Sequence, residues 1–200
     1  MLGNIKKSWI IIGVVIIGVL LLYSNIKGTY NKMITMDVQV EQAWSQVENQ
    51  YQRRADLIPN LVATVKGYAE HEQETFTAVV EARSKATSVN IDANNLNAAS
   101  MQKFQQAQDG LSSALSRLMV VVEKYPDLKA NQNFLQLQAQ LEGTENRIAV
   151  ERRNFNTVVG DYNKIIREFP TNIYAGFLGL EKKAFFEAKE GSEEAPEVQF

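Results

Sequence analysis

Few residues in this chain could do chemistry, and their spacing limits what that chemistry would be. His71-Glu72 opens like a helical zinc motif, which needs a second histidine four residues on. That position is Thr75, and the 200-residue chain holds one histidine and no cysteine. A catalytic zinc takes three protein ligands. Glu70, Glu72 and Glu74 alternate, so on a helix they point to different faces. The sequence therefore implies no metal and no cofactor. The lack of cysteine also removes disulfides and thiol nucleophiles. With 21 bases against 23 acids there is no basic footprint for nucleic acid. Asp37, Glu72 and Glu151 are acids set among apolar positions and could converge for acid–base work. Ion pairs with Arg54 or Arg83 are their expected use, so no catalytic activity and no small-molecule substrate are expected.

The most unusual local sequence is Arg53-Arg54-Ala55-Asp56-Leu57-Ile58-Pro59-Asn60. One reading makes it a recognition surface, its guanidinium forks meeting partner carboxylates or lipid phosphates. The other places Arg54 inside a helical bundle, paired with Glu72 or Glu151, where a buried ion pair sets the register between helices. Arg53, Arg54, Asp56, Pro59, Asn60, Glu72 and Arg83 are thus candidate interaction or register-setting residues.

Two kinds of element must position these groups. The first is an uncharged run from Ser8 to Ile26, 19 residues long. As a helix it measures about 28 Å, enough to cross a bilayer core of about 30 Å. Trp9 and Tyr23 stand near its ends as interfacial anchors, and no small-residue cleavage site follows. A single-pass anchor in the lipid bilayer is expected. Lys6, Lys7 and the α-amino group on one side, against Lys27 and Lys32 on the other, give a slight lean towards an exported domain.

The second kind is the long helix with a three-and-four beat. Tyr30, Met33, Asp37, Val40, Trp44, Val47, Tyr51, Arg54 and Ile58 form one seam, which continues through Val62, Val65, Ala69, Glu72, Phe76, Val79, Arg83 and Ala86. Phe104, Gln108, Leu111, Leu115, Leu118, Val122 and Tyr125 form another. Phe134, Leu137, Leu141, Thr144, Ile148, Glu151, Phe155, Val158, Tyr162, Ile165 and Phe169 form the last. Such seams predict long helices packed at shallow angles. Pro59 predicts a kink or tight break in the first, because it lacks a backbone donor. With neither glycine nor proline between Thr29 and Ile58, the membrane helix is expected to run on into the bundle. Residues 87–97 read as a loop, Tyr125-Pro126-Asp127 as a turn, and residues 173–186 as a pair of small turns packed on the bundle.

The expected class is all-α: a transmembrane helix followed by an elongated antiparallel bundle of three to four long helices. Residues 1–7 are a short flank, 8–26 the span, 27–186 the bundle and 187–200 an acidic mobile tail.

The stretch from Gln50 to Val62, with Val65-Lys66-Gly67-Tyr68, Glu123 to Asn131, Glu145 to Ala149, Arg152-Arg153, Phe155-Asn156, Tyr162-Asn163, Phe169-Pro170 and the ending Pro196-x-Val198-x-Phe200, resembles the LemA family of bacterial membrane proteins. The resemblance implies an N-terminal membrane helix in the bacterial cytoplasmic membrane, a helical bundle, no established enzymatic activity and no known cofactor. It also implies a gene neighbourhood shared with membrane proteases and other membrane proteins. The expected role is a scaffold or adaptor for other membrane proteins, with self-association into a homo-oligomer that organises or deforms the membrane as the alternative.

Overall fold

The computed structural model describes residues 7–187, so all of the acidic tail beyond Glu187 lies outside the described residues. The chain begins with one helix, α1, from Lys7 to Lys66. Its 60 residues make a rod of about 90 Å. Gly28 does not interrupt it, and the expected continuity between span and bundle is present. The apolar window near its start is bare of protein contact, with Trp9 and Tyr23 both exposed.

Pro59 does not end α1, which continues to Lys66. The reason is local. The amide missing at Pro59 would have bonded the Ala55 carbonyl one turn back. Arg83 takes that place, its Nε donating to the Ala55 oxygen at 2.7 Å. The break falls instead at residues 67–72, where the Tyr68 and Ala69 amides still bond the Val65 carbonyl before the chain reverses. The seam that reads as continuous from Val62 to Ala86 is therefore split between two helices.

After the reversal come α2 (Gln73–Ser88), a 3-10 turn (Ala93–Asn95), α3 (Ala98–Val122), the short α4 (Pro126–Lys129), α5 (Gln132–Ile165) and α6 (Thr171–Leu178). Asparagines start two of them: the side chain of Asn97 accepts from the Ser100 amide, and that of Asn131 from the Phe134 amide. No strand occurs among the described residues. The long axis is set by α1 packing against α5, and α2 lies between α1 and α3. Arg54 meets Glu145, and Trp44 meets Phe155, so ten residues towards the membrane on α1 match ten residues onward on α5. The pair is antiparallel.

The apolar interior forms two clusters. The membrane-proximal one holds Met33, Val40, Trp44, Phe104, Phe155 and Tyr162. Trp44 sits at its centre, with the rings of Phe104, Phe155 and Phe186 5.3, 5.5 and 5.9 Å away. The distal cluster holds Ile58, Leu61, Val65, Phe76, Leu118 and Phe134.

The last seam departs from expectation at its end. Phe134, Leu141, Ile148, Phe155 and Tyr162 are buried, but Val159 and Ile166 turn inward where Val158 and Ile165 were expected. A straight helix drifts by about 20° per heptad, which carries the inward face round by this amount over four heptads. Phe169, read as the last seam residue, lies beyond the end of α5 and is 81% exposed. Residues 173–186 are not two turns. They complete α6 and then form an extended strap, which starts after Gly179 at φ 67°.

The carbonyl exchange at Pro59 makes a prediction. Arg83→Ala should cost about 1–3 kcal/mol by leaving the Ala55 carbonyl unsatisfied. In a Pro59→Ala background, where the helix amide returns, the same change should cost much less. Urea unfolding of the four variants of this cycle checks the coupling, and additive effects would contradict it.

Candidate interaction site

The two apolar clusters are separated by a polar layer built around Arg54. Its residue is only 2% exposed. Nη1 donates to Glu145 at 2.9 Å and to the Ser112 hydroxyl at 3.0 Å. Nη2 donates to the Gln108 side-chain oxygen at 2.8 Å. The other end of Gln108 donates to the Ala86 carbonyl at 3.1 Å, in the last turn of α2. One guanidinium thus ties α1 to α3 and α5 directly and to α2 through Gln108. Its plane also lies near the Tyr51 ring, 5.2 Å from the centroid. Burying a charge is costly unless it is paired and hydrogen-bonded, and here three partners share it.

The expected partners of Arg54 were Glu72 and Glu151, and neither is used. The antiparallel register of α1 and α5 brings Glu145 level with Arg54, whereas Glu72 sits in the distal turn and accepts from the Tyr125 hydroxyl at 3.3 Å. Arg83 meets a carbonyl and not a seam acid. Asp37 pairs with Lys183 at 3.1 Å. Arg53, Asp56, Pro59 and Asn60 lie on the exposed face of α1, away from this layer. Asp56 accepts from the Gln52 side chain at 2.8 Å.

Beside Arg54 a groove of about 290 Å³ opens between α3 and α5. Leu115, Met119 and Leu141 line it, with Gln138, Glu142 and Glu145 also on its wall. Glu145 is 55% exposed at its side chain, so one face of the ion pair meets the groove and the other meets Arg54.

The strap is held by a second polar device. The Asn163 side chain exchanges two hydrogen bonds with the backbone of Lys183, at 2.9 and 3.0 Å. Asn156 does the same with Phe186, at 2.9 Å for both. Seven residues on a helix rise about 10.5 Å, and three extended residues reach about 10 Å, so the two asparagines match the strap's period. Arg152 adds a bond from Nη2 to the Glu187 carbonyl at 3.2 Å. The Ala184 amide bonds the Leu96 carbonyl at 2.7 Å, and Phe186 enters the Trp44 cluster. The strap therefore completes the proximal core. Burial, with Asp37 and the Glu181 carboxylate nearby, pushes the Tyr162 hydroxyl up to about 12, and that hydroxyl donates to the Glu181 carbonyl at 3.2 Å. Asn156 and Asn163 enter the sequence reading only within the motifs of the family resemblance, and neither they nor Lys183 are among its candidate interaction residues. The available signal was the aromatic–Asn pair repeated after seven residues, at Phe155-Asn156 and Tyr162-Asn163.

These features span the region in which the chain matches a family model, that of the LemA family, over residues 43–200. The chain belongs to the LemA family. Protein LemA of Metamycoplasma hominis is 28% identical over 163 residues, which cover 82% of this chain and 71% of that protein. Magnetosome protein MamQ 2 of Paramagnetospirillum magneticum is 27% identical over 178 residues, covering 80% of this chain and 65% of the relative. Magnetosome protein MamQ of Magnetospirillum gryphiswaldense is 26% identical with the same coverage. The chain thus spans just under two thirds of the length of the MamQ relatives. The matched region starts on α1 beyond the apolar run, so the family model describes the bundle, and the span is supported by its own length and composition.

Two predictions follow from this LemA-type bundle. Asn156→Leu and Asn163→Leu should each cost about 1–3 kcal/mol, because a buried strap amide and carbonyl lose their partners; urea unfolding checks the cost. Stability should also fall as pH rises from about 10 to about 12, because the unfolded tyrosine ionises at about 10 while folded Tyr162 still holds its proton. Below pH 10 this contribution is fully present. Tyr162→Phe should flatten the fall, leaving the share due to other groups such as Tyr51, whose hydroxyl burial also pushes up; an unchanged slope would contradict the assignment.

Proposed function

We propose that this LemA-family protein is a non-catalytic, single-pass scaffold that joins another membrane protein to a rigid rod. The observation that carries the reading is the unbroken α1, which makes the bilayer span and the bundle's central helix one element. A partner seated on the bundle is then held at a fixed height and direction from the membrane. The buried polar groups support the same reading, since Arg54, Gln108, Asn156, Asn163 and Lys183 are engaged in holding elements together.

The face that suits a partner is the groove between α3 and α5. Its apolar wall of Leu115, Met119 and Leu141 fits one side of a helix, and Glu142 and Glu145 favour bases beside it. The occupant that matches is an amphipathic helix with Lys or Arg along one edge. The proposed location is the bacterial cytoplasmic membrane, with the bundle on the exported side, following the slight lean of the charges that flank the span.

A photoreactive residue at Ser116 in the full-length protein, crosslinked in membranes and read by mass spectrometry, tests this. The expected result is a link to unlike membrane proteins through basic helical segments, weakened by Glu142→Lys. Links confined to copies of the same chain would overturn the adaptor reading in favour of a homo-oligomer, and no link at Ser116 would remove the groove as the docking face.

A further inference from the structure

The proximal end of the bundle carries apolar side chains that its own core does not use. Phe169 is 81% and Phe177 88% exposed, and Ile173 and Leu178 are also exposed. They belong to α6 and the turn before it. The opposite side of α6 is fixed, with Ala175 buried in the cluster that contains Met33 and Ile166. Ile173 and Phe177 are one helical turn apart, so α6 presents an apolar stripe outward while it stays docked.

The height of this stripe follows from the packing of α1 and α5. Lys32 lines one groove with Lys164 and Glu168, which places the end of α5 beside the start of the bundle's α1 segment. Glu168 stands next to Phe169 in sequence, which brings this end of the chain level with Lys32. Lys32 is six residues beyond Ile26, the last residue of the uncharged run, or about 9 Å along the helix. The headgroup zone on each side of a bilayer is about 5–8 Å deep. Phe169 and α6, whose Ala175 packs in the cluster that holds Met33, therefore stand at the outer edge of the headgroups, where an apolar side chain reaches into them.

We infer that α6 is a second membrane contact: an interfacial helix whose Phe169, Ile173 and Phe177 enter the leaflet beside the span and pin the base of the bundle to the bilayer. Its occupant is the lipid surface and not another protein, because the stripe lies at the same end of the bundle as the exposed apolar residues Tyr23, Ile26 and Tyr30 of α1, which lead out of the span. The charges at this level suit anionic lipid. Lys27, Lys32, Lys164, Arg167, Lys182 and Lys183 stand here with Asp37, Asp161, Glu168 and Glu181, a surplus of two bases, and Glu168 is drawn to Lys164 at 3.9 Å. Two points of attachment on one rigid body fix its tilt and rotation, which a single helix crossing the membrane does not. The inference rests on the reading of the apolar run as a span.

The absence of native cysteine makes the test direct. Single nitroxides are placed by Ile16→Cys in the span, Val150→Cys on the exposed side of α5, and Ile173→Cys on α6, which keeps both phenylalanines. The full chain is reconstituted in vesicles of phosphatidylcholine and phosphatidylglycerol, and collision with oxygen is compared with collision with a water-soluble nickel chelate. The expected order of the oxygen-to-nickel ratio is 16 highest, 173 intermediate and 150 lowest. Adding Phe169→Ser and Phe177→Ser should drop the ratio at 173 towards that at 150. A ratio at 173 equal to that at 150, with 16 still deep, overturns the inference and leaves the span intact. Shielding of 173 from both reagents, the sign of protein covering it, also overturns it. A low ratio at 16 removes the span, and the inference with it.

Discussion

The bundle depends on one buried cation. Arg54 lies where two apolar clusters would otherwise merge into a featureless seam, and seams of aliphatic residues slide easily past one another. A guanidinium with directed donors does not slide. Its hydrogen bonds to Glu145 and Ser112, and its hold on α2 through Gln108, are made at one alignment of the helices. Replacing such a layer with well-packed apolar residues is often neutral or favourable for stability. We propose that what the layer secures is register, which in turn sets the height of the other features along the bundle.

Pro59 belongs to the same logic. Five residues after Arg54 it deletes a helix hydrogen bond, and the deletion is used by Arg83 to dock α2. The cation and the missing amide lie on adjacent turns of α1, so the helix that enters from the bilayer carries both fixtures that order its neighbours. At the opposite end the strap repeats the principle with uncharged groups. Asparagines on α5 supply the two-bond pattern of a neighbouring strand to an extended segment that has none, and Phe186 closes the core over Trp44.

Much of the architecture was legible in the sequence, for specific reasons. The span was readable because nineteen residues without charge have few alternatives. The seams were readable because burial repeats with the helix turn, and Arg54 stood out as a charge at a seam position. Its partner was not readable, since Glu145 is off the seam and pairs only once the register of α1 against α5 is known. The break was misplaced at Pro59 because the rescue of the Ala55 carbonyl comes from a residue 28 positions away in sequence, which no local rule can see. The strap was invisible for a related cause: its backbone is satisfied by side chains of another element, so neither alternation nor propensity marks it. Phe169 was read as core because the heptad pattern continues past the point where the helix stops.

The central claim is that span and bundle form one rigid rod. It is tested most directly by the distance between nitroxides introduced by Leu22→Cys and Gln52→Cys in the reconstituted full chain, measured by pulsed dipolar spectroscopy. An uninterrupted helix predicts one narrow distribution near about 45 Å. A broad distribution, or a second population at shorter distance, would mean that the helix hinges between membrane and bundle, and would contradict the account.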